Sequence, residues 1–141
     1  MTWIVANIRW IMILSGVLTS TMFYAAIAPE AALQSTFGET LTGPLARIVV
    51  RNWGALIGLI GLMMIYGALN PAVRPLVLIV AGASKAIFVA LVLSHGGRYL
   101  ASQAAVAIAI DAVMIALFAW YLLTARAASR TPISASASVA V

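Results

Sequence analysis

The sequence predicts an all-α polytopic membrane protein, an antiparallel bundle of four transmembrane helices. Three observations predict it. Of 141 residues, 65% are hydrophobic and 8% charged, whereas a soluble domain carries roughly 25% charged residues. A chain this short is mostly surface, so a larger core cannot absorb the apolar excess. The apolar residues also fall into four stretches, separated by proline, glycine and polar residues. Each stretch reaches the roughly 20 residues needed to cross a bilayer.

The first span covers residues 3–28. Trp3 and Trp10 suit an interfacial belt, and Arg9 can extend back to the headgroups. The rival is a cleaved signal peptide ending at Ala26-Ile27-Ala28. Pro29 after the cut argues against it, as do Ser15, Thr19, Ser20 and Thr21 within the apolar run.

The loop 29–44 holds Glu30 and Glu39, two of the three acids in the chain. Pro29 can open a short helix there, since its missing N–H would be unpaired at that position anyway. Ala31, Ala32, Leu33 and Phe37 give this helix an apolar face, and Gly38 ends it. It is expected to lie at the membrane interface as a cap over the bundle.

The second span, 45–69, places Arg47, Arg51, Gly54, Gly58, Gly61 and Ile65 on one narrow stripe of a 3.6-residue helix. A groove of glycines offers lipid nothing, but it lets a neighbouring helix approach closely. Asn70-Pro71 ends this span. The tight turn to Pro75 makes spans two and three antiparallel neighbours.

The third span covers 75–95 and is broken by Gly96-Gly97. The fourth covers 99–124, with Trp120 and Tyr121 near its far end. The four spans form one domain over residues 1–126. Residues 127–141 are small and polar, lack a helical period and are expected to be disordered.

Four spans put both termini on one side of the membrane. That side carries Arg9, Arg74, Arg126 and Arg130, against Arg47, Arg51 and Arg98 on the other. Four cations to three places the termini in the cytoplasm by the positive-inside rule.

Lys85 and Asp111 lie near the middle of spans three and four. Each costs roughly 2.5–3.5 kcal/mol at mid-membrane. Lys85 stands about 15 Å from either interface at 1.5 Å per residue, and Asp111 lies at similar depth. The economical solution is a direct ion pair facing the bundle interior. Such a pair fixes the register of two helices, or it serves as a proton relay, an ion site or the polar anchor of a buried ligand.

A second constellation lies toward the opposite face from the termini. Arg47 and Arg51 are one turn apart, with Asn52 beside them and Glu30 and Glu39 in the adjoining loop. Ser94, His95, Arg98 and Gln103 stand at the mouth of spans three and four. Two arginines on one face can clamp a carboxylate or phosphate. The plainer alternative is that they bond the loop glutamates and helix-end carbonyls, or extend to lipid phosphate.

His95 alone reads as a helix cap. No second donor stands at metal-ligand spacing, so no metal is expected. Cysteine is absent, which excludes disulfides and thiol chemistry. No phosphate-binding loop, dinucleotide fingerprint or nucleophile elbow appears, so no cofactor and no catalytic residue is expected. His95 and Asp111 lie about 18 Å apart in depth, too far for a hydrolase triad. The net charge of +5 comes from cations scattered singly, without a basic patch, and nucleic acid is not expected as a partner.

Two stretches carry a resemblance. Ala28-Pro29-Glu30-Ala31-Ala32-Leu33 leaves the first span. Arg51-Asn52-Trp53-Gly54-Ala55-Leu56-Ile57-Gly58-Leu59 opens the second, and a tight Pro-containing turn and a glycine-bearing third span follow. Over about residues 8–124 the chain resembles small bacterial four-helix membrane proteins, the DoxX-like group and neighbouring families of unknown function. The resemblance implies that fold and a bacterial inner-membrane setting. DoxX-like members are linked to quinone-coupled sulfur chemistry and redox stress. That activity is not carried over to a chain with no cysteine and no quinone-site pattern.

Three readings of function follow. The first is a non-enzymatic accessory subunit or small hydrophobic-ligand binder, its helices drawn together by Gly54, Gly58 and Gly61 around a buried Lys85–Asp111 pair. The second is a small oligomeric proton-coupled transporter. The third is a membrane enzyme acting on a lipid or quinone, with Arg51 and His95 at its mouth. The expected partners are the lipid bilayer, a second copy or another membrane protein, and a lipid or quinone-like ligand.

Overall fold

A computed structural model of the chain describes residues 3–129, and all regular structure among them is helical. Four helical stretches are long and apolar enough to cross a membrane: Trp3–Ile27, Pro44–Leu69, Arg74–Ser94 and Gln103–Ala127.

The first stretch is not the single helix expected. Helix α1 (Trp3–Ser20) stops, and α2 (Phe23–Ile27) resumes after Thr21-Met22. The Thr21 hydroxyl donates to the Leu18 carbonyl at 2.6 Å. The backbone tightens beside it, with Thr21 N–H donating to Leu18 and Met22 N–H to Thr19. A hydroxyl that takes a carbonyl of the preceding turn bends a helix in this way.

Helix α3 (Pro29–Phe37) begins with proline in its first turn and buries Pro29, Ala32 and Leu33. Gly38 ends it at φ 74, a left-handed conformation that a side chain would strain.

Helix α4 (Pro44–Leu69) buries Gly54, Gly58, Gly61 and Gly67 along one face, with Val50, Met64 and Ala68. That face receives α1 and α2. A Cβ added at Gly54 would stand 2.7 Å from the Ala25 Cβ. At Gly61 it would stand 2.5 Å from the Ser20 backbone nitrogen, and at Gly67 3.1 Å from the Met12 methyl. Arg74 opens α5 (Arg74–Ser94) and reaches back across the turn. Its guanidinium donates to the carbonyls of Gly67 at 3.3 Å and Ala68 at 2.9 Å, acceptors that the end of α4 leaves open.

The fourth long helix starts later than expected. Gly96–Tyr99 forms a single 3-10 turn, and α6 begins only at Gln103 and runs to Ser129. The Ser102 hydroxyl oxygen accepts from the Ala104 N–H at 3.3 Å, an N-cap that fixes the start. Residues 127–129, expected in the tail, belong to this helix. The rest of the expected tail lies outside the described residues.

The filled core sits at the end of the molecule that holds the Asn70 turn. It joins Ile8 and Met12 of α1, Met64 and Ala68 of α4, Val77, Leu78 and Ala81 of α5, and Phe118 of α6. The outward faces carry large apolar side chains, among them Leu14, Leu59, Leu76, Ile87, Leu91, Val113 and Leu123, all exposed.

Candidate functional site

Lys85 projects from the middle of α5. Asp111 lies about 12 Å into α6 at 1.5 Å per residue. The Lys85 ammonium donates to Asp111 Oδ1 at 2.5 Å and to Thr19 Oγ1 of α1 at 3.3 Å. One cation thus joins three helices. The two side chains are 11% and 16% exposed, so the helices screen the pair without sealing it. Close by, the Ser15 hydroxyl reaches the Met64 sulfur at 3.9 Å.

Both side chains line a partly open cavity. A space of about 530 Å³ lies between α1, α4, α5 and α6, bounded toward α3 by Thr36. That volume falls within the range of small-molecule sites. Ser15, Thr19, Ser84, Lys85 and Asp111 form its polar inner end. Leu18, Ile57, Ile60, Val106 and Ile110 supply apolar wall, and Trp53, Phe88 and Gln103 line it toward α3. An ion pair at the end of an apolar chamber can anchor a polar group while the chamber houses a hydrocarbon body. It can also exchange protons with whatever enters.

A second cavity of about 390 Å³ lies under the loop after α3, between α3, α4 and α5. Trp53 and Phe88 stand in the walls of both cavities. Phe37, at the end of α3, meets them with ring centroids 6.4 and 6.5 Å away, and packs edge-on against Tyr99 at 5.5 Å. Such contacts suit tilted and T-shaped aromatic geometry.

The polar residues toward α3 divide into separate contacts. Arg47 pairs with Glu30 at 2.8 Å. Arg51 donates to the Ile27 carbonyl at 3.5 Å. Arg98 holds one oxygen of Glu39 with Nε at 2.9 Å and Nη2 at 2.6 Å. His95 turns its Nδ1 to the Leu91 carbonyl, 2.8 Å away, at the end of its own helix. Asn52 is exposed beside Arg51. Arg47 and Arg51 are thus each engaged with a different group rather than converging on one point. Both ion pairs are open to solvent, with side chains between 49% and 67% exposed, where such pairs contribute little. The hydrogen bond to Glu39, reinforced by the carboxylate charge, raises the Arg98 guanidinium above its usual range. Among the described residues no three His, Asp or Glu side chains converge as metal ligands.

Sequence reasoning placed Lys85 beside Asp111 but missed Thr19 as the second acceptor. A signal was present, because Ser15 and Thr19 are four residues apart and share one face of α1. The aromatic group of Phe37, Trp53, Phe88 and Tyr99 was also missed. Those residues come from four elements, and no spacing within the chain relates them. No protein-family model, curated protein or solved structure matches the chain.

Proposed function

We propose that the chain is a multi-pass protein of the bacterial inner membrane and binds a small hydrophobic molecule in its central cavity without transforming it. Four helices of spanning length support the membrane setting, and so do their leucine-rich outward faces. The contacts of Gly54 with Ala25, Gly61 with Ser20, and Gly67 with Met12 support an antiparallel course of the first two spans. With four spans in alternation, both termini lie in the cytoplasm. This layout is the one implied by the resemblance to DoxX-like proteins.

One observation carries the binding reading. The Lys85–Asp111 pair borders a chamber of about 530 Å³ instead of being packed over. A pair kept only for register is best enclosed on every side, because ionised groups in a low-dielectric interior gain from complete hydrogen bonding. Here polar and charged groups end a mainly apolar chamber, the usual composition of a ligand site.

Native mass spectrometry from mild detergent tests the reading. A retained small-molecule adduct, lost in a variant with Ile57→Trp filling the chamber, is the expected result. Bare protein under every mild condition contradicts it. The same spectra report whether a second copy or another membrane protein accompanies the chain.

A second reading, a proton-coupled carrier, is favoured by the hydroxyl of Thr36 and the amide of Gln103 on the α3 side of the ion pair. Proton uptake by pH-loaded liposomes containing the protein, abolished by Asp111→Asn, would support it.

A further inference from the structure

We propose that the head of the bound molecule is an uncharged hydroxyl, so that the ligand class is a neutral lipid alcohol rather than a fatty acid or an amine. The proposal rests on the binding reading above and deepens it.

The charges at the inner end of the chamber already balance. Lys85 and Asp111 are one cation and one anion in direct contact at 2.5 Å. The nearest other partner is Thr19, which is neutral. An incoming carboxylate would make the site net negative, and an ammonium would make it net positive. Either places an uncompensated charge in a low-dielectric space, where the penalty is steep.

The hydrogen-bonding capacity points the same way. Of the three N–H donors of Lys85, one goes to Asp111 and one to Thr19, and the third has no protein acceptor among the described residues. Asp111 receives Lys85 on Oδ1, while its Oδ2 has no protein donor among the described residues. One donor and one acceptor are thus left at the chamber wall. A hydroxyl is the smallest group that offers both complements, accepting from the ammonium and donating to the carboxylate. A carbonyl only accepts, and an ammonium only donates.

The rest of the chamber sets the body of the molecule. Ile57, Ile60 and Ile110 flank the space between the pair and Trp53. An alkyl chain anchored at Lys85 and Asp111 would run past these side chains toward the indole.

That placement provides the experiment. In the full chain with Trp3, Trp10 and Trp120 changed to Phe, Trp53 is the remaining indole. Bromine quenches indole fluorescence on contact. The protein in nanodiscs is titrated with bromooctanol, bromooctanoate, bromooctylammonium and bromooctane. Saturable quenching by bromooctanol is expected, about tenfold or more tighter than by the other three, the size of one hydrogen bond to a charged group. In the uncharged double variant Lys85→Met with Asp111→Leu, bromooctanol and bromooctane are expected to bind alike. Bromooctanoate or bromooctylammonium binding as tightly as the alcohol overturns the hydroxyl assignment and leaves the binding reading in place. An alcohol preference that survives in the double variant also overturns it. Saturable quenching by none of the four overturns the binding reading itself.

Discussion

The two ends of the molecule hold helices together by different means. At the end with the Asn70 turn, Met12, Met64, Leu78 and Phe118 are fully buried and fill the space between α1, α4, α5 and α6. Toward the α3 end one partly open cavity lies between these four helices and a second between α3, α4 and α5, and Phe37 reaches in from α3 to meet Trp53 and Phe88. Lys85, Asp111 and Thr19 lie where the two regimes meet. In hydrocarbon, apolar burial does not drive helices together, so close shape fit and polar bonds must do so. The filled end relies on shape. The hollow end is held by the Lys85, Asp111 and Thr19 links at its boundary and by the glycine contact of α4 with α1 and α2.

Variants can break that contrast. The largest effect is expected from Lys85→Ala, which leaves the Asp111 carboxylate without its cation at the boundary. A loss of about 3 kcal/mol of stability follows from the cost of such a charge, read as a fall in folded yield and in unfolding midpoint. Next comes Gly61→Ala, whose Cβ meets the Ser20 backbone nitrogen at 2.5 Å. Backbone cannot step aside, and overpacking of this kind costs about 1–3 kcal/mol. The atoms nearest a Cβ at Gly58 are Phe23 ring carbons at 2.7–2.8 Å, a side chain that gives way more readily than backbone, so a smaller fall in midpoint is expected for Gly58→Ala. Equal effects at the two glycines would contradict the account of the contact. Thr19→Val removes one acceptor from Lys85, and about 0.6 kcal/mol is expected from a single interhelical hydrogen bond.

The smallest effect belongs to the exposed Arg98–Glu39 pair. Arg98→Gln is expected to leave the midpoint within error at moderate salt, where exposed pairs are screened. Its pH behaviour has a definite sign. A folded-state pKa raised above the usual arginine value contributes stability that is complete below that usual value. The contribution is lost only as pH rises through the still higher folded value. Arg98 therefore adds no slope to a stability profile between about pH 6 and pH 10. A difference in slope between the parent chain and Arg98→Gln in that window would contradict this.

Much of the architecture was legible because its signals are local. Span length, the Asn70-Pro71 stop, the Pro29 start and the Gly38 end depend on residues close in sequence. The Lys85–Asp111 contact was legible because two ionised groups at one depth have few alternatives. The helix that fills the glycine groove was not, since periodicity identifies a smooth face without naming its partner. The break at Thr21-Met22 coincides with a Thr21 hydroxyl bond to the Leu18 carbonyl, and composition alone does not decide it. The late start of α6 follows from Ser102 acting as a cap, after the 3-10 turn at Gly96–Tyr99. The hollow end was invisible for a more general reason: an unfilled space is a property of packed helices in three dimensions.

The most direct test of the boundary is the charge exchange Lys85→Asp with Asp111→Lys, followed by unfolding midpoint in lipid nanodiscs beside the two single variants. A pair that works by facing charges across α5 and α6 predicts that both singles fall and that the exchanged chain recovers most of the loss. An exchanged chain as unstable as the worse single variant, or a Lys85→Ala chain as stable as the parent, would contradict it.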